Sequence, residues 1–349
     1  MDRKLHIVLV VALLILSACS ERLSGPESAT GSSSSYIFFE QKVVASVVSK
    51  ANLITGASLP TVEGSAFGVL GYAGSNTTSI FSGNGIANVY WNNSVFTYDN
   101  LAIWHGNQTT HRFYAYYPYS SIDQSTITQN GGNPSFVYTQ PTTEEDMQEI
   151  LTAYKETKKS STVDLEFRHR LWALEVEVKN SQKTGLDSDD KVTENPTITI
   201  TGIDVIVKDF PTSAKIYLDN RNATVHTKDA EGNVINTAGP TTYSIPITGD
   251  DNVLAANGGT KTYGHLLFLP VSSFTYQIVI EYLDSRGKSD QFTSTVKTAE
   301  MSFAEGTKYT LKVNKTDDQF VLGKYDDPDG TGDFQPGDWN DVDVNHTFN

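Results

Sequence analysis

Short segments rich in β-branched and aromatic residues recur along almost the whole chain, and turn-forming residues separate them. Val, Ile, Thr, Tyr and Phe fit the pleated surface of a sheet, whereas Gly, Pro and Asn favour turns. Many short strands divided by frequent turns are typical of a β-sandwich. This pattern predicts an all-β protein.

The predicted strands form two sets along the chain. The first set comprises segments 36–49, 67–72, 95–98, 113–117 and 163–167. The second set comprises segments 171–178, 197–207, 215–218, 241–247, 263–269, 276–282, 292–298 and 308–313. Gly68 and Gly71 predict a close backbone approach or a bend, and residues 284–287 predict a hairpin turn.

One segment carries helical signals instead. Thr142 precedes Glu145 by three residues, which is the spacing of a capping box. Four apolar residues then follow at helical spacing, namely Met147, Ile150, Leu151 and Tyr154. We therefore expect one short helix, lying across a sheet or in a long loop.

Charge and cysteine content exclude several classes of protein. The chain has 349 residues, with 26 Lys and Arg against 41 Asp and Glu, so its net charge is 26 − 41 = −15. An acidic balance argues against general nucleic-acid binding, which needs basic groups to displace counterions. The single cysteine excludes both an internal disulfide and a zinc–cysteine cluster.

That cysteine lies at the end of an N-terminal targeting sequence. Two basic residues precede an apolar run over residues 7–16, which is too short to span a bilayer. The following Leu-Ser-Ala-Cys fits a bacterial lipobox, in which Cys19 becomes the lipidated first residue. The alternative is an ordinary signal peptide with a cysteine nearby by chance.

The length of the chain predicts two domains. Cleavage before Cys19 leaves 349 − 18 = 331 residues, which usually divide into more than one core. We predict a signal peptide over residues 1–18 and a polar, serine-rich tether over residues 19–35. An N-terminal β-sandwich then covers residues 36–170, and a C-terminal β-sandwich covers residues 171–349.

The C-terminal region combines an acidic stretch with a regular alternation. Residues 325–339 are acidic and rich in Gly and Pro, which predicts a loop. The acidic part, 326–333, partly resembles a calcium-binding loop, but Pro328 interrupts the pattern and a solvated turn is the alternative. Four residues then alternate with polar ones, as in a strand: Val342, Val344, His346 and Phe348.

Few residues point to chemistry. His105 and His111 lie close together in the sequence, but the spacing identifies no third metal ligand. Residues 112–119 are densely aromatic, and they either fill a core or stack on a sugar or a partner. The sequence contains none of the common hydrolase, zinc-protease or nucleotide-binding motifs. We therefore predict no enzyme, no catalytic residue, no cofactor and no metal.

Several stretches in a shared order carry a family resemblance. After the lipobox come FGVLGY (67–72), FYAYYPY (113–119) and VDLEFRHRLWALEVEV (163–178). The stretch LLFLPVSSFTYQIVIEYLDSRGKSDQFTSTV (266–296) then leads into FAEGTKYTLKV (303–313). This order resembles the fimbrillin family, the lipoprotein-derived subunits and accessory proteins of type V pili. The resemblance implies two transthyretin-like β-sandwich domains.

The resemblance also implies a maturation pathway. Such proteins reach the outer membrane through a lipid, here on Cys19, and a protease then removes the lipid and the first strand. The implied cleavage lies between Lys50 and Ala51, where related chains often carry Arg, with Lys42 and Arg22 as the other basic choices. The removable strand is segment 36–49.

Strand exchange is the assembly mechanism that the resemblance implies. The exposed groove accepts a strand from the next subunit, here the donor segment 341–349 with its alternating residues, so the partners are other fimbrial subunits. The implied location is the cell surface, with adhesion to a host or bacterial ligand as the role. An ordinary first strand, a solvated Lys50 and a last strand paired in its own sheet are the alternatives.

Two other functions remain open from the sequence. A lipid-anchored surface protein of this size could bind glycans or proteins without polymerising, through its aromatic residues. A hydrolase with carboxylates distant in sequence is the third interpretation, although no motif favours it.

Overall fold

The structure is a computed structural model that describes residues 35–43, 59, 65–75, 77–92, 94–129, 133–189, 191–219, 225–227, 237–247, 252–323 and 334–338. Backbone contacts divide the chain after Ser35. Apart from that residue, every described residue belongs to the unit Tyr36–Asn349.

Strands occur along the whole described part of the chain, with turns and loops between them and one 3₁₀ turn at Gln124–Thr126. The first strands are β1 (Phe39–Val43), β2 (Ala66–Ala73), β3 (Ala87–Asn92), β4 (Val95–Thr97), β5 (His111–Tyr117), β6 (Ser135–Thr139), β7 (Leu151–Thr157) and β8 (Val163–His169). The next are β9 (Trp172–Asn180), β10 (Thr184–Leu186), β11 (Val192–Glu194), β12 (Ile198–Lys208), β13 (Phe210–Pro211), β14 (Ser213–Tyr217), β15 (Val225–His226), β16 (Thr237–Ala238) and β17 (Thr241–Ile245). The last are β18 (Val253–Leu254), β19 (Gly259–Phe268), β20 (Phe274–Leu283), β21 (Ser289–Thr293), β22 (Lys297–Ala299), β23 (Thr307–Lys315), β24 (Phe320–Leu322) and β25 (Phe334–Asp338).

The prediction of an all-β protein is confirmed, because nearly every predicted strand lies within one of these elements. Segment 36–49 is a strand at Phe39–Val43, and residues 44–49 lie outside the described part of the chain. Segment 292–298 divides into the end of β21 and the start of β22. No helix in the described ranges has the length and hydropathy needed to span a membrane.

The predicted short helix is wrong. Residues 142–146 form bends and a turn, with the Met147 N–H donating to the Glu144 carbonyl at 2.9 Å. Residues 147–150 have no regular structure, and Leu151 begins β7. All seven residues of β7 pair with β5, and Leu151 and Ala153 enter one core. Ladder hydrogen bonds and two-sided burial therefore outweigh the local capping signal, because propensity is a weak preference.

The prediction of a continuous loop over 325–339 is also wrong at one place. Strand β25 pairs antiparallel with β23, with Pro336 opposite Tyr309. The other edge of β23 pairs with β9, so β25 is an outer strand among the described residues. A proline can occupy such a strand because its missing N–H can face away from the ladder.

The largest sheet in the described ranges has seven strands in the order β1-β8-β7-β5-β2-β3-β4. Its inner strands are buried on both faces: in β2, Phe67 and Val69 enter one core while Leu70 and Tyr72 enter the other. Gly68 makes room for a neighbouring ring, since a Cβ there would lie 2.2 Å from the ring of Tyr116. The predicted close approach at Gly68 is confirmed.

Two further sheets share a second core. In the part of the chain that is described, one has the order β17-β12-β20-β21, with β18 and β22 alongside, and the other has the order β19-β9-β23-β24, with β25 alongside. The buried residues of both sheets belong to one cluster that includes Trp172. The Trp172 ring lies 4.7 Å from that of Phe303 and 5.0 Å from that of Phe268, between centroids.

The chain changes sheets between β8 and β9, at the predicted domain boundary of residues 170 and 171. Contacts also cross this point, because β6 pairs with β14 and Phe136 joins the core that contains Trp172. The division into two sandwich domains therefore stays a prediction.

Candidate functional site

The first strand lies at the edge of the seven-stranded sheet and pairs in parallel with β8. The register places Phe39 opposite Val163 and Val43 opposite Phe167. The ladder between β7 and β8 is regular only at Thr152–Arg168 and Leu151–His169. Strand β1 is thus the ladder partner of the first part of β8 among the described residues.

Alternate residues of the segment that begins at Ile37 fill a pocket in the core that contains Phe67 and Val69, which is the smaller of the two cores. Ile37 is fully buried and Phe39 is 5% exposed, whereas Glu40 and Lys42 are exposed. The Phe39 ring lies 5.5 Å from that of Phe113, edge to face, and similar contacts join it to the rings of Phe81 and Tyr98. Burial of two large apolar side chains contributes roughly 3 to 6 kcal/mol.

Hydrogen bonds outside the ladder also hold the first strand. The Ile37 N–H donates to the carbonyl of Ala102 at 3.0 Å, and the Tyr98 hydroxyl donates to the Ile37 carbonyl at 2.9 Å. Further along, the N–H of the buried Leu59 donates to Gln41 Oε1 at 2.7 Å. The backbone of Leu59 therefore recognises a polar side chain at this inward position.

The outer face of the first strand contributes little. Lys42 Nζ lies 2.9 Å from Glu166 Oε1, and the hydrogen bond from Lys42 is the largest cause of the lowered pKa of Glu166. Both side chains are largely exposed, at 62% and 45%. Exposed ion pairs are worth about 0 to 1 kcal/mol, so the buried side chains and the backbone bonds provide most of the binding.

Three kinds of contact hold the first strand in place. They are the backbone edge of β8, two apolar pockets that hold Ile37 and Phe39, and the N–H donor of Leu59. Without the first strand, the edge of β8 would be unpaired. Alternate pockets beside a free strand edge are what β-augmentation requires, because main-chain bonds provide affinity and the pockets provide specificity.

The other predicted site residues lie outside the described part of the chain. They are the lipidation residue Cys19, the processing pair Lys50 and Ala51, and the donor residues Val342, Val344, His346 and Phe348. The acidic loop 326–333 and Arg22 also lie outside it. Of the basic alternatives, Lys42 is described and pairs with Glu166.

The two candidate histidines have structural contacts. His111 is fully buried between the rings of Trp104 and Phe113. The His105 N–H donates to His111 Nε2 at 3.1 Å, so His111 Nδ1 carries the proton and donates to the Thr109 carbonyl at 3.0 Å. Desolvation, the largest influence, lowers the pKa of His111.

The aromatic segment 112–119 fills core space. Phe113, Tyr114 and Tyr116 are fully buried, and Trp104 is 6% exposed. Their faces lie against other side chains of the chain, so they cannot stack on a sugar. Of the two interpretations of this segment, the structural one holds for its buried members.

Sequence reasoning missed the residues that receive the first strand. Phe81 and Leu59 lie in turns and loops, where no periodicity marks them. Tyr98 ends the predicted strand 95–98 but lies just past the observed β4. One signal was available: Gln41 occupies an inward position in the series that begins with Ile37 and Phe39. A polar residue in such a series indicates a specific hydrogen-bond partner.

Within the described part of the chain, the fold is that of an all-β protein in which β1 forms one edge of the seven-stranded sheet and Ile37 and Phe39 enter a core. The chain belongs to the fimbrillin-like family, which matches residues 57–324. That match begins after the first strand and ends before the C-terminal segment, so family membership does not by itself assign roles to either. No match is found among curated proteins.

Two solved structures that align with this chain come from Bacteroides species. A fimbrial protein of Bacteroides vulgatus is 19% identical, with 86% of this chain and 99% of that chain aligned and a TM-score of 0.53. A candidate cell adhesion protein of Bacteroides ovatus is 12% identical, with 87% and 97% aligned and a TM-score of 0.49. The first of these supports the fold of the present chain.

Proposed function

We propose that this protein is a structural or accessory subunit of a cell-surface fimbria, assembled by β-strand exchange, with adhesion as its role. The observation that supports this function most directly is the position of the first strand. It lies at the edge of a sheet, and Ile37 and Phe39 are buried in a core. Membership of the fimbrillin-like family supports the same role. The proposal assigns no catalytic step to the chain.

In this mechanism, maturation removes strand β1. Lipid on Cys19 anchors the precursor in the outer membrane, and cleavage between Lys50 and Ala51 separates β1 from the rest of the chain. Leu59 stays on the retained side of the cut, and so do Tyr98 and β8. The N–H of Leu59 and the paired backbone groups of β8 then lose their partners, and the Tyr98 hydroxyl loses its acceptor while it still accepts from the Ala102 N–H. Leaving buried groups unpaired is costly.

The C-terminal segment matches the first strand position by position. In one register Val342 replaces Ile37, Val344 replaces Phe39 and His346 replaces Gln41. Phe348 then takes the place of Val43. The segment thus supplies two apolar residues for the two pockets, and an imidazole nitrogen that can accept the hydrogen bond of the Leu59 N–H.

A donor from a second copy would therefore form a head-to-tail contact. Each subunit contributes a C-terminal strand and receives one at the β8 edge, and such contacts form open filaments because they do not close on themselves. The valines are smaller than the residues they replace, so the donor fills the Phe39 pocket less completely than the first strand does.

The test compares filament formation by variants of the donor segment. Val344→Asp puts a carboxylate into the apolar pocket, whereas Asn345→Asp puts one on the neighbouring outward position. We expect Val344→Asp and deletion of residues 341–349 to abolish polymers after cleavage, with the monomer still folded, and Asn345→Asp to polymerise. Filaments formed by the Val344→Asp protein would contradict this register, and filaments formed by the deletion variant would contradict the donor assignment.

The N-terminus of the protein on cells tests maturation separately. Mass spectrometry of sheared surface material should find chains that begin at Ala51. Chains that begin only at lipidated Cys19, in membranes alone, would instead support a lipid-anchored binding protein that does not polymerise.

A further inference from the structure

A second feature of the molecule, remote in sequence from the first strand, is a pocket of about 180 Å³. It lies where the hairpin between β20 and β21 meets β10 and the last residue of β23. Buried Pro196 and Ile198 and the partly exposed Leu186 form an apolar wall. Polar side chains form the rest of the lining.

Lys315 is the principal donor in this pocket. It is 8% exposed, and its ammonium lies 5.4 Å from the centroid of the Phe320 ring. Neither an ion pair nor a side-chain hydrogen bond engages it in the described part of the chain. The ammonium keeps its hydrogen-bond donors available to the pocket, so a ligand that accepts hydrogen bonds would be stabilised at this position.

Gln182 is the second unpartnered group. It is also 8% exposed and lines the pocket, and its Oε1 is buried without a hydrogen-bond partner among the described residues. The pocket thus presents ammonium donors beside an amide group. The Lys315 ammonium and the Asp290 carboxylate in the same lining fit a ligand that both accepts and donates, such as one with several hydroxyls.

Each of the other charged groups in the lining has a partner within the lining. Arg286 contacts Asp284 through Nε at 2.8 Å and through a terminal nitrogen at 2.6 Å. Tyr282 donates to Asp290 Oδ2 at 2.9 Å. Two positive and two negative side chains therefore line the pocket, and their charges cancel.

Charge argues against an ionic ligand. Asp317 and Asp318 lie near enough to act on Lys315, and the whole chain carries a net charge of −15. Both conditions disfavour an anion, while Lys315 itself disfavours a cation. An uncharged group with several hydroxyls remains as the class that the lining fits.

We propose that this pocket binds one neutral sugar residue. The pocket volume of about 180 Å³ accommodates a single sugar ring. One hydroxyl accepts from Lys315, a second donates to Asp290, and the C–H face of the ring packs on Pro196 and Ile198. This site is independent of strand exchange and does not require filament formation.

The test is nuclear magnetic resonance titration of the purified protein with named sugars. The neutral probes are the methyl glycosides of galactose, mannose, glucose, fucose and N-acetylglucosamine, and the charged ones are glucuronic acid and N-acetylneuraminic acid. We expect a neutral probe to bind with a Kd of roughly 1 mM, because one small polar site gives weak affinity. The charged probes should bind more weakly.

Two variants and a control locate the binding. Lys315→Met keeps the length of the side chain, removes its charge and should weaken binding at least about tenfold. Asp290→Ala changes an exposed residue, so it keeps the fold and should also weaken binding. Lys288→Met makes the same charge change on the same hairpin, outside the pocket lining, and should leave the affinity unchanged.

Three outcomes would overturn the proposal. The first is that no neutral probe binds at about 10 mM. The second is that a charged probe binds more tightly than every neutral one. The third is that folded Lys315→Met and Asp290→Ala proteins bind as the unchanged protein does.

Discussion

At the scale of single residues, a bulge creates a buried polar cluster. The register between β9 and β19 shifts between Tyr263 and Leu266, which brings His265 beside Glu175. His265 Nε2 lies 3.1 Å and Lys308 Nζ 3.2 Å from Glu175 Oε2, and Thr310 donates to Oε1 at 2.6 Å. Glu175 is only 8% exposed, so these contacts must offset its desolvation.

This cluster makes the stability of the protein depend on pH. Burial by itself raises the pKa of Glu175, but hydrogen bonds from His265 and Thr310 and the charges of Lys308 and His265 together lower it to about 2 from 4.5. A lowered pKa stabilises the folded state above pH 4.5, and this contribution disappears as the pH falls through about 2.

We expect Glu175→Gln to reduce the free energy of unfolding by up to about 3 kcal/mol at neutral pH. The difference from the unchanged protein should shrink steadily between pH 4.5 and about 2, where Glu175 itself becomes protonated. Urea denaturation across this range measures it.

The matched control is Glu177→Gln on the same strand. Its carboxylate lies 3.6 Å from Lys312, with both side chains 22% exposed, so a change of less than about 1 kcal/mol is expected. A difference for Glu175→Gln that stays constant down to pH 2 would contradict the assigned role.

At the scale of elements, the first strand is held by its buried side chains. Phe39 inserts among three aromatic rings, while Glu40, the next residue, is exposed. Because inward and outward positions alternate, neighbouring residues of one strand provide a matched pair for experiment.

Phe39→Ala should lower the free energy of unfolding of the uncleaved protein by about 3 to 5 kcal/mol, because it leaves a cavity in the core. Glu40→Ala should change it by less than about 0.5 kcal/mol. Chemical denaturation of both proteins measures the difference, and equal effects would contradict the inward orientation of Phe39.

Strand β7 illustrates why local patterns identify elements only in part. Leu151 and Tyr154 fit helical spacing, yet Leu151 and Ala153 face one core while Tyr154 packs on the other. A strand that is buried on both faces shows no alternation of apolar and polar residues. The sequence of this segment therefore contains a helical pattern and no competing strand pattern. By contrast, Glu175 and Glu177 alternate with apolar residues in segment 171–178, and that alternation predicts the observed strand, although Glu175 is buried rather than exposed.

At the scale of the whole molecule, one side chain joins the two halves of the sequence. Gln140 is buried; its Nε2 donates to the Leu267 carbonyl at 2.8 Å, and its Oε1 accepts from the Leu269 N–H at 3.2 Å. The amide thus acts as one more peptide unit beside the end of β19. The larger core likewise contains Tyr114 and Met147 together with Trp172.

We expect the unit Tyr36–Asn349 to unfold in one calorimetric transition, since its larger core draws on both halves. Gln140→Ala leaves two backbone groups without partners, which should lower the free energy of unfolding by about 2 to 4 kcal/mol. The exposed Gln148→Ala serves as the control and should change it by less than about 0.5 kcal/mol. Two separate transitions in the unchanged protein would contradict this coupling.

The site could be predicted only in outline. The first segment was identified as a strand, and Ile37, Phe39 and Gln41 alternate inward as its pattern requires. Its receptor was not identifiable, because Phe81 and Tyr98 reach the pocket from loops. The pocket around Lys315 also had no signal, since its lining comes from segments more than a hundred residues apart.

The sequence by itself determined the class of fold, because alternation, β-branching and turn residues act over a few neighbours. It also determined the family resemblance, which depends on the order of motifs. Only the tertiary structure decided which strands pair: β1 lies parallel to β8, and β9 lies parallel to β23. Pairing between distant segments depends on which buried faces fit together, and no local pattern encodes that fit.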